Sequence, residues 1–313
     1  MEQIPPRDGY GKGLLQLCAQ NSGVVVLDAD VAKSTRTVWV REQYPHAFLD
    51  MGVSEQDMIG MAVGLAMTGL VPFASTYSAF LTGRGYDQIR SAVCHDNVNV
   101  KLAGAHAGFS VGPDGSVHQS LEDVAIMRAL PNMTVLVPCD ALQAEKAVHA
   151  MMAHNGPCYI RFGREPAPVI TDDTTEFVLG KARLIRDGGD VTILANGAMV
   201  WEAIKAADLL QRQGIQALVA DVHTVKPLDE EFITAAAKAT GAVVTAEEHQ
   251  KTGGLGGAVA ELLAEAYPVP VVRVGVADCF GESGAPEELL QKYGLTAEDI
   301  VAAALVAMEK RRK

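Results

Sequence analysis

The sequence predicts an α/β protein of two doubly wound domains, a mostly parallel six-stranded sheet followed by a smaller five-stranded mixed sheet. Three observations predict it. Short β-rich runs alternate with helix-length periodic runs along the chain, the pattern that buries a parallel sheet between two layers of helices. The 313 residues are 49% apolar and 20% charged, enough for roughly two cores. Between Glu165 and Gly180 the composition turns to Pro166, Pro168, Thr171, Asp172, Asp173, Thr174 and Thr175, which reads as a linker. The expected division is therefore residues 1–165, a linker over 166–179, and residues 180–313.

In the first unit, residues 10–20 read as an amphipathic helix and 24–27 as a β run ending in Asp28 and Asp30. Those acids stand where open α/β sheets bind ligands, beyond the carboxyl end of a strand. Residues 34–41 read as loop or short helix, and 47–51 as a second strand. The helix over 52–69 is apolar on every side, which predicts burial rather than a solvated face. Ser54 suits its N-cap, Asp57 stands like the acid of a capping box, and Gly52 permits the turn before it. Glu55 is the odd residue in this run. Taken alone, it reads as a first-turn acid complementing the helix dipole.

Residues 71–76 follow as a third strand, with Pro72 near its start, and 77–93 as a helix carrying Phe80, Leu81, Ile89 and Val93. A fourth strand is expected over 98–105. After it, residues 106–119 form a Gly-rich loop with two histidines and an acid, a composition that carries function more often than packing. A helix over 120–130, a strand over 134–139, a helix over 141–154 and a sixth strand over 158–164 with basic residues at its end complete the unit. The second unit shows strands near 181–186, 191–195, 216–221, 242–246 and 270–274, and helices near 198–213, 229–238, 255–266 and 296–311. Gly253, Gly254, Gly256 and Gly257 open one of these helices and suit either a phosphate or close packing.

Charge and cysteine content exclude several function classes. Lys and Arg number 26 against 38 Asp and Glu, a net charge of −12, which argues against nucleic-acid or anionic-membrane partners while allowing a local basic pocket. The start Met1, Glu2, Gln3, Ile4, Pro5, Pro6 lacks the basic and apolar regions of a signal peptide. The apolar run over 58–74 is interrupted by glycines and Pro72, so a buried helix leading to a strand is expected there rather than a membrane span. Five scattered cysteines without a Cys-x-x-Cys pair fit reduced thiols in a cytoplasmic protein without a zinc site.

Three ordered motifs carry a family resemblance: Gly-Val-Ser-Glu-Gln-Asp-Met at 52–58, Ala-Ser-Thr-Tyr-Ser-Ala-Phe-Leu-Thr-Gly-Arg at 74–84, and Gly-Pro-Asp-Gly-Ser-Val-His-Gln at 112–119. Together they resemble the C-terminal half of transketolase, in the form where the enzyme is split into two polypeptides. Residues 8–165 resemble its pyrimidine-binding domain and about 178–313 its C-terminal domain. Ser54 and Gln56 depart from single-chain transketolases, which usually have Arg and His there, and are similar to split transketolases and in part to deoxyxylulose-phosphate synthases.

The resemblance implies thiamine diphosphate as cofactor. Glu55 would hydrogen-bond the pyrimidine nitrogen and favour the imino tautomer, which asks for a carboxyl at a buried helix start that can share a proton. Phe80 would stack on the pyrimidine with Tyr77 completing the wall, and Arg84 would take over the contact that related enzymes make from the position of Gly83. His106 and His118 would polarise a ketose carbonyl and shuttle protons, Asp114 would recognise a substrate hydroxyl, and Arg164, assisted by Arg161, would bind a phosphate. The family's Gly-Asp-Gly, with its downstream Asn, is absent from this sequence. Mg²⁺ and the diphosphate are therefore expected on a separate N-terminal transketolase subunit, with Asp30 at the seam, no metal ligands in this chain, and self-association into a heterotetramer. The implied reaction moves a two-carbon ketol unit from a ketose phosphate to an aldose acceptor. The alternatives are a deoxyxylulose-phosphate synthase-like enzyme, a 2-oxoacid dehydrogenase E1 β-like subunit, or a non-catalytic interaction subunit.

Overall fold

In the computed structural model, which describes residues 2–20 and 23–311, fourteen strands make two large sheets and one two-stranded ribbon. In chain order the strands are β1 (Gln3–Ile4), β2 (Val24–Asp28), β3 (Phe48–Asp50), β4 (Val71–Tyr77), β5 (Lys101–Ala105), β6 (Thr134–Leu136), β7 (Cys158–Arg161) and β8 (Ala167–Pro168). They continue as β9 (Arg183–Arg186), β10 (Val191–Ala195), β11 (Ala217–Asp221), β12 (Thr224–Lys226), β13 (Val243–Gln250) and β14 (Val271–Val276). The first sheet has the order β12-β6-β7-β5-β4-β2-β3 and the second the order β14-β13-β10-β11-β9. Within each, all neighbours are parallel except the edge strands β12 and β9.

The expected α/β class and the five-stranded mixed sheet are present, but the first sheet has seven strands rather than six. The additional strand is β12, which leaves the second sheet's chain and pairs antiparallel with β6. Three residues just after a longer strand carry no readable period, and their partner lies some ninety positions earlier. The segment read as a linker is also held down. The Asp140 carboxylate accepts the N–H groups of Ile170 and Thr171, and Lys146 donates to the carbonyls of Asp172 and Thr175.

Two helices differ from expectation near the site. The helix Glu55–Met67 buries Glu55, Met58, Ile59 and Ala62, yet Met61 is 43% and Met67 77% exposed, and a side chain at Gly60 or Gly64 would meet nothing. Its apolar pattern therefore covers one face only. The expected long helix after β4 is broken into Ser78–Arg84, Tyr86–Gln88 and a π-type turn Ile89–Cys94. The break has a packing reason: a Cβ at Gly85 would collide with the Ile59 side chain, so a bare glycine lets the two helices touch. That contact brings Arg84 within reach of Glu55.

Candidate active site

Glu55 opens its helix at a turn that only a left-handed residue makes without strain, and Gly52 supplies it at φ +69°. The capping box does not form. Ser54 occupies the N-cap position, but its hydroxyl donates to the Met51 carbonyl at 2.7 Å and no side chain caps the helix. Glu55 is 1% exposed, and its Oε2 accepts from Arg84 Nη1 at 2.8 Å. Glu55 is therefore an ion-paired carboxylate here, not a carboxyl surrounded by apolar groups alone.

Arg84 lies one helical turn after Phe80, and its guanidinium covers the Phe80 ring at 5.1 Å. Phe80 stacks on Tyr77 at 5.9 Å, and Tyr77 stacks on the His106 ring at 4.3 Å. His118 stands edge-on to both aromatics, 5.2 Å from Phe80 and 5.9 Å from Tyr77. The six residues Glu55, Arg84, Phe80, Tyr77, His118 and His106 thus make one continuous chain of contacts. Five of them come from the three motifs and His106 from the residue after β5, and they meet near the carboxyl ends of β4 and β5, where parallel sheets hold ligands.

His106 follows β5 in a left-handed conformation, φ +56°, and is 2% exposed. Its Nε2 lies 3.3 Å from Arg7 Nη1. Arginine only donates, so Nε2 is the acceptor and the proton of the neutral ring sits on Nδ1, which has no partner. Burial, followed by the charges of Arg7, Arg164, Arg36 and His118, pushes the His106 pKa down to about 3. Such an imidazole is neutral throughout the physiological range. Its buried Nδ1–H is left to polarise a carbonyl that reaches it, whereas the lowered pKa disfavours the proton shuttling that the resemblance implies. His118 is half-buried, and its Nδ1 is likewise without a partner.

The loop carrying Asp114 and His118 begins as 3₁₀ turns over Gly108–Asp114 kinked at Gly112, and Gly108, Gly112 and Gly115 all stand at positive φ. Asp114 forms a 3.6 Å ion pair with Arg164, whose backbone N–H donates to Ser110 Oγ at 2.9 Å. No ring contact or hydrogen bond joins this pair to the aromatic cluster among the described residues, although the Arg164 charge reaches His106. Asp30 is exposed, at φ +63°, and makes no contact with the cluster. Its neighbour Asp28 is spent on structure: it accepts from Thr35, Thr37 and the Val31 N–H, and burial pushes its pKa up to about 6.

Arg161 is a correction. Its side chain is 5% exposed, Nε is bound to Asp123, and Nη2 donates to the carbonyls of Ser120 and Glu248. These buried bonds commit Nε and Nη2 to structure rather than to a phosphate. Two residues that no sequence motif marks do reach the cluster: Arg7, through His106, and Ser34, whose hydroxyl lies 3.0 Å from that of Tyr77. Neither sits in a distinctive local pattern; the three-dimensional placement alone reveals them. A cavity of about 510 Å³ lies elsewhere, between the two sheets against Phe162, Met199 and Trp201, and includes none of the six cluster residues.

Comparison with known proteins matches residues 2–168 to the pyrimidine-binding domain of transketolase and residues 180–300 to the transketolase C-terminal domain. The 6-deoxy-6-sulfo-D-fructose transketolase subunit SqwH of Clostridium sp. (strain MSTE9) is 48% identical, over 97% of this chain and 95% of its own. An apulose-4-phosphate transketolase subunit of Phocaeicola vulgatus is 37% identical over 98% of each chain. A solved structure described as a split gene transketolase, inactive β4 tetramer, superposes with a TM-score of 0.93 at 47% identity, covering 99% of this chain and 100% of that one.

Proposed function

The chain belongs to the transketolase family as a C-terminal subunit of its split form, and from that premise we propose that the cluster around Glu55 is the pyrimidine half of a shared active site. The observation that carries the proposal is the continuous contact chain from Glu55 through Arg84, Phe80 and Tyr77 to the two histidines. The family uses thiamine diphosphate, and the residues fit it: a buried carboxylate, an aromatic face beside it, and two imidazole nitrogens without partners. When bound, this cofactor supplies the carbanion that accepts the ketol unit.

The roles of this chain's residues follow from their chemistry. Glu55 hydrogen-bonds the pyrimidine and holds a proton there, while Phe80 and Tyr77 orient the ring and exclude water. Arg84 occupies both the Phe80 face and Glu55 Oε2, so a ring using those groups competes with it for each. His106 would donate from Nδ1 to a substrate oxygen, and His118 would carry the proton transfer that the lowered pKa of His106 disfavours. Asp114 and Arg164 recognise a hydroxyl and an anionic terminus of the sugar, exchanging their mutual ion pair for substrate. The names of the two relatives put a sulfo group or a phosphate on the sugar, and both are oxyanions suited to an arginine.

The lack of a Gly-Asp-Gly in this sequence supports Mg²⁺ and the diphosphate being held through an N-terminal subunit, and we assign Asp30 to that seam. The solved relative described as an inactive β4 tetramer supports self-association and dependence on a partner. Near-full-length similarity to transketolase subunits disfavours the synthase, E1 β and non-catalytic readings. The test is reconstitution with an N-terminal subunit, Mg²⁺ and thiamine diphosphate, followed by assay of ketose phosphates, a sulfo-ketose and 2-oxoacids. Aldehyde release without carbon dioxide is expected; turnover of 2-oxoacids with carbon dioxide release would overturn the assignment.

A further inference from the structure

We propose that Glu248, on β13 of the second sheet, is a positioning residue for the loop that carries Asp114 and His118. Its Oε1 accepts two backbone N–H groups at the start of that loop, Phe109 at 2.5 Å and Ser110 at 3.2 Å, although the loop belongs to the first sheet's chain. The carboxylate is almost fully buried, and Arg161 ties the same residue's carbonyl to Asp123 and Ser120. A Cβ at Gly108 would collide with this carboxylate, and Gly108 stands at φ +73°, so the loop is shaped to admit it.

Other contacts seat the loop on the same surface. Phe109 stacks on Tyr293 at 4.6 Å, and Gln119 Nε2 donates to the Glu282 carbonyl at 2.9 Å. Any Cβ at Gly281 would strike Gln119. The segment from 108 to 119 therefore has two ends held by the C-terminal half, with Asp114 and His118 between them. Acceptance of two N–H groups by one carboxyl oxygen is the only one of these contacts that fixes the loop's backbone rather than its side chains. The C-terminal half thereby acts on substrate recognition without lending a group to the chemistry. This inference rests on the active-site reading above.

The test pairs Glu248→Ala with Glu248→Gln, whose remaining carbonyl oxygen still accepts both N–H groups. Amide hydrogen exchange on the free chain comes first, because it needs neither cofactor nor activity. In the alanine variant, exchange over 108–119 should accelerate about tenfold or more while β4 and the helix Ser78–Arg84 keep their protection, and the glutamine variant should restore most of it. In the reconstituted complex, kcat/KM for the ketose donor should fall about 10- to 100-fold in the alanine variant, whereas deuterium exchange at the cofactor's thiazolium carbon should change less than about twofold. Unaltered loop exchange in Glu248→Ala overturns the proposal, as does equal loss of thiazolium exchange. Should the alanine variant fail to fold, Glu248→Asp, which keeps a carboxyl but shortens its reach to the Phe109 and Ser110 N–H groups, gives the same two readouts with the same deciding outcomes. Absence of ketol transfer by the unaltered complex would instead count against the active-site reading and leave the exchange result to decide the role of Glu248.

Discussion

Two side chains at the site behave differently from what residue type alone implies, and each leads to a measurement. Glu55 is buried but paired with Arg84, so the role proposed for it requires exchanging one partner for another. Glu55→Gln keeps shape and burial and removes the ability to hold a proton. In the reconstituted complex it should slow deuterium exchange at the thiazolium carbon by about 10²-fold or more, and an unchanged exchange rate would take Glu55 out of its role. His106 leads to a pH prediction. Its pKa falls from 6.5 in the unfolded chain to about 3 in the folded one, so below pH 6.5 the unfolded state binds the extra proton. Stability is thus fully present above 6.5 and is lost as pH falls toward 3, by about 1.4 kcal/mol per pH unit. Asp28 works in the opposite sense, because its carboxyl is raised to about 6 and the stability it adds is lost as pH rises through that value. The two slopes offset each other in the unaltered chain. Urea unfolding of His106→Gln against the unaltered chain across this range isolates the histidine: the variant's acid-side loss should be shallower, and parallel curves would show that His106 is protonated in the fold.

Among the elements, the strands and helices with a clear period were legible in the sequence, and so was the loop 106–119 through its glycines and histidines. Three kinds of feature were not. Strand β12 is three residues long and is recruited by a partner strand from the other half of the chain. Arg161 ends a strand with the composition of a phosphate site, but whether an arginine faces solvent or a buried aspartate is decided by packing that no local pattern records. The helix Glu55–Met67 was legible as apolar, but apolarity does not say what covers each face, and here Met61, Met67, Gly60 and Gly64 stay open. An open apolar face of this kind on a member of a split enzyme family suits a subunit contact. Met61→Asp should therefore leave the unfolding free energy of the free chain in urea within about 0.5 kcal/mol of the original, while weakening subunit assembly in sedimentation by about tenfold or more. A variant that assembles normally would move the contact to another surface.

For the whole molecule, the proposed function makes the cluster one wall of a site shared with a partner chain. Glu55, Phe80, Tyr77 and the histidines line up on the carboxyl ends of β4 and β5, and the sequence carries no diphosphate-binding motif to face them. Binding free energy for a cofactor with a pyrimidine at one end and a diphosphate at the other is then divided between two chains. The fraction available here is stacking on one aromatic face and hydrogen bonds to one carboxylate, and Arg84 already takes both. Binding by this chain alone must first displace that arginine, and on the shared-site reading it lacks the partner's contacts to the diphosphate and its Mg²⁺. Calorimetry should therefore find the affinity of the isolated chain for thiamine diphosphate and Mg²⁺ at least about tenfold weaker than that of the reconstituted complex, a difference of about 1.4 kcal/mol or more. Arg84→Ala removes the competitor but also the guanidinium beside Glu55. If competition dominates, the variant chain should bind the cofactor more tightly than the unaltered chain, and weaker binding would make Arg84 a cofactor contact. Equal affinities for isolated chain and complex would mean that this half holds a complete cofactor site, and the shared-site reading would fail.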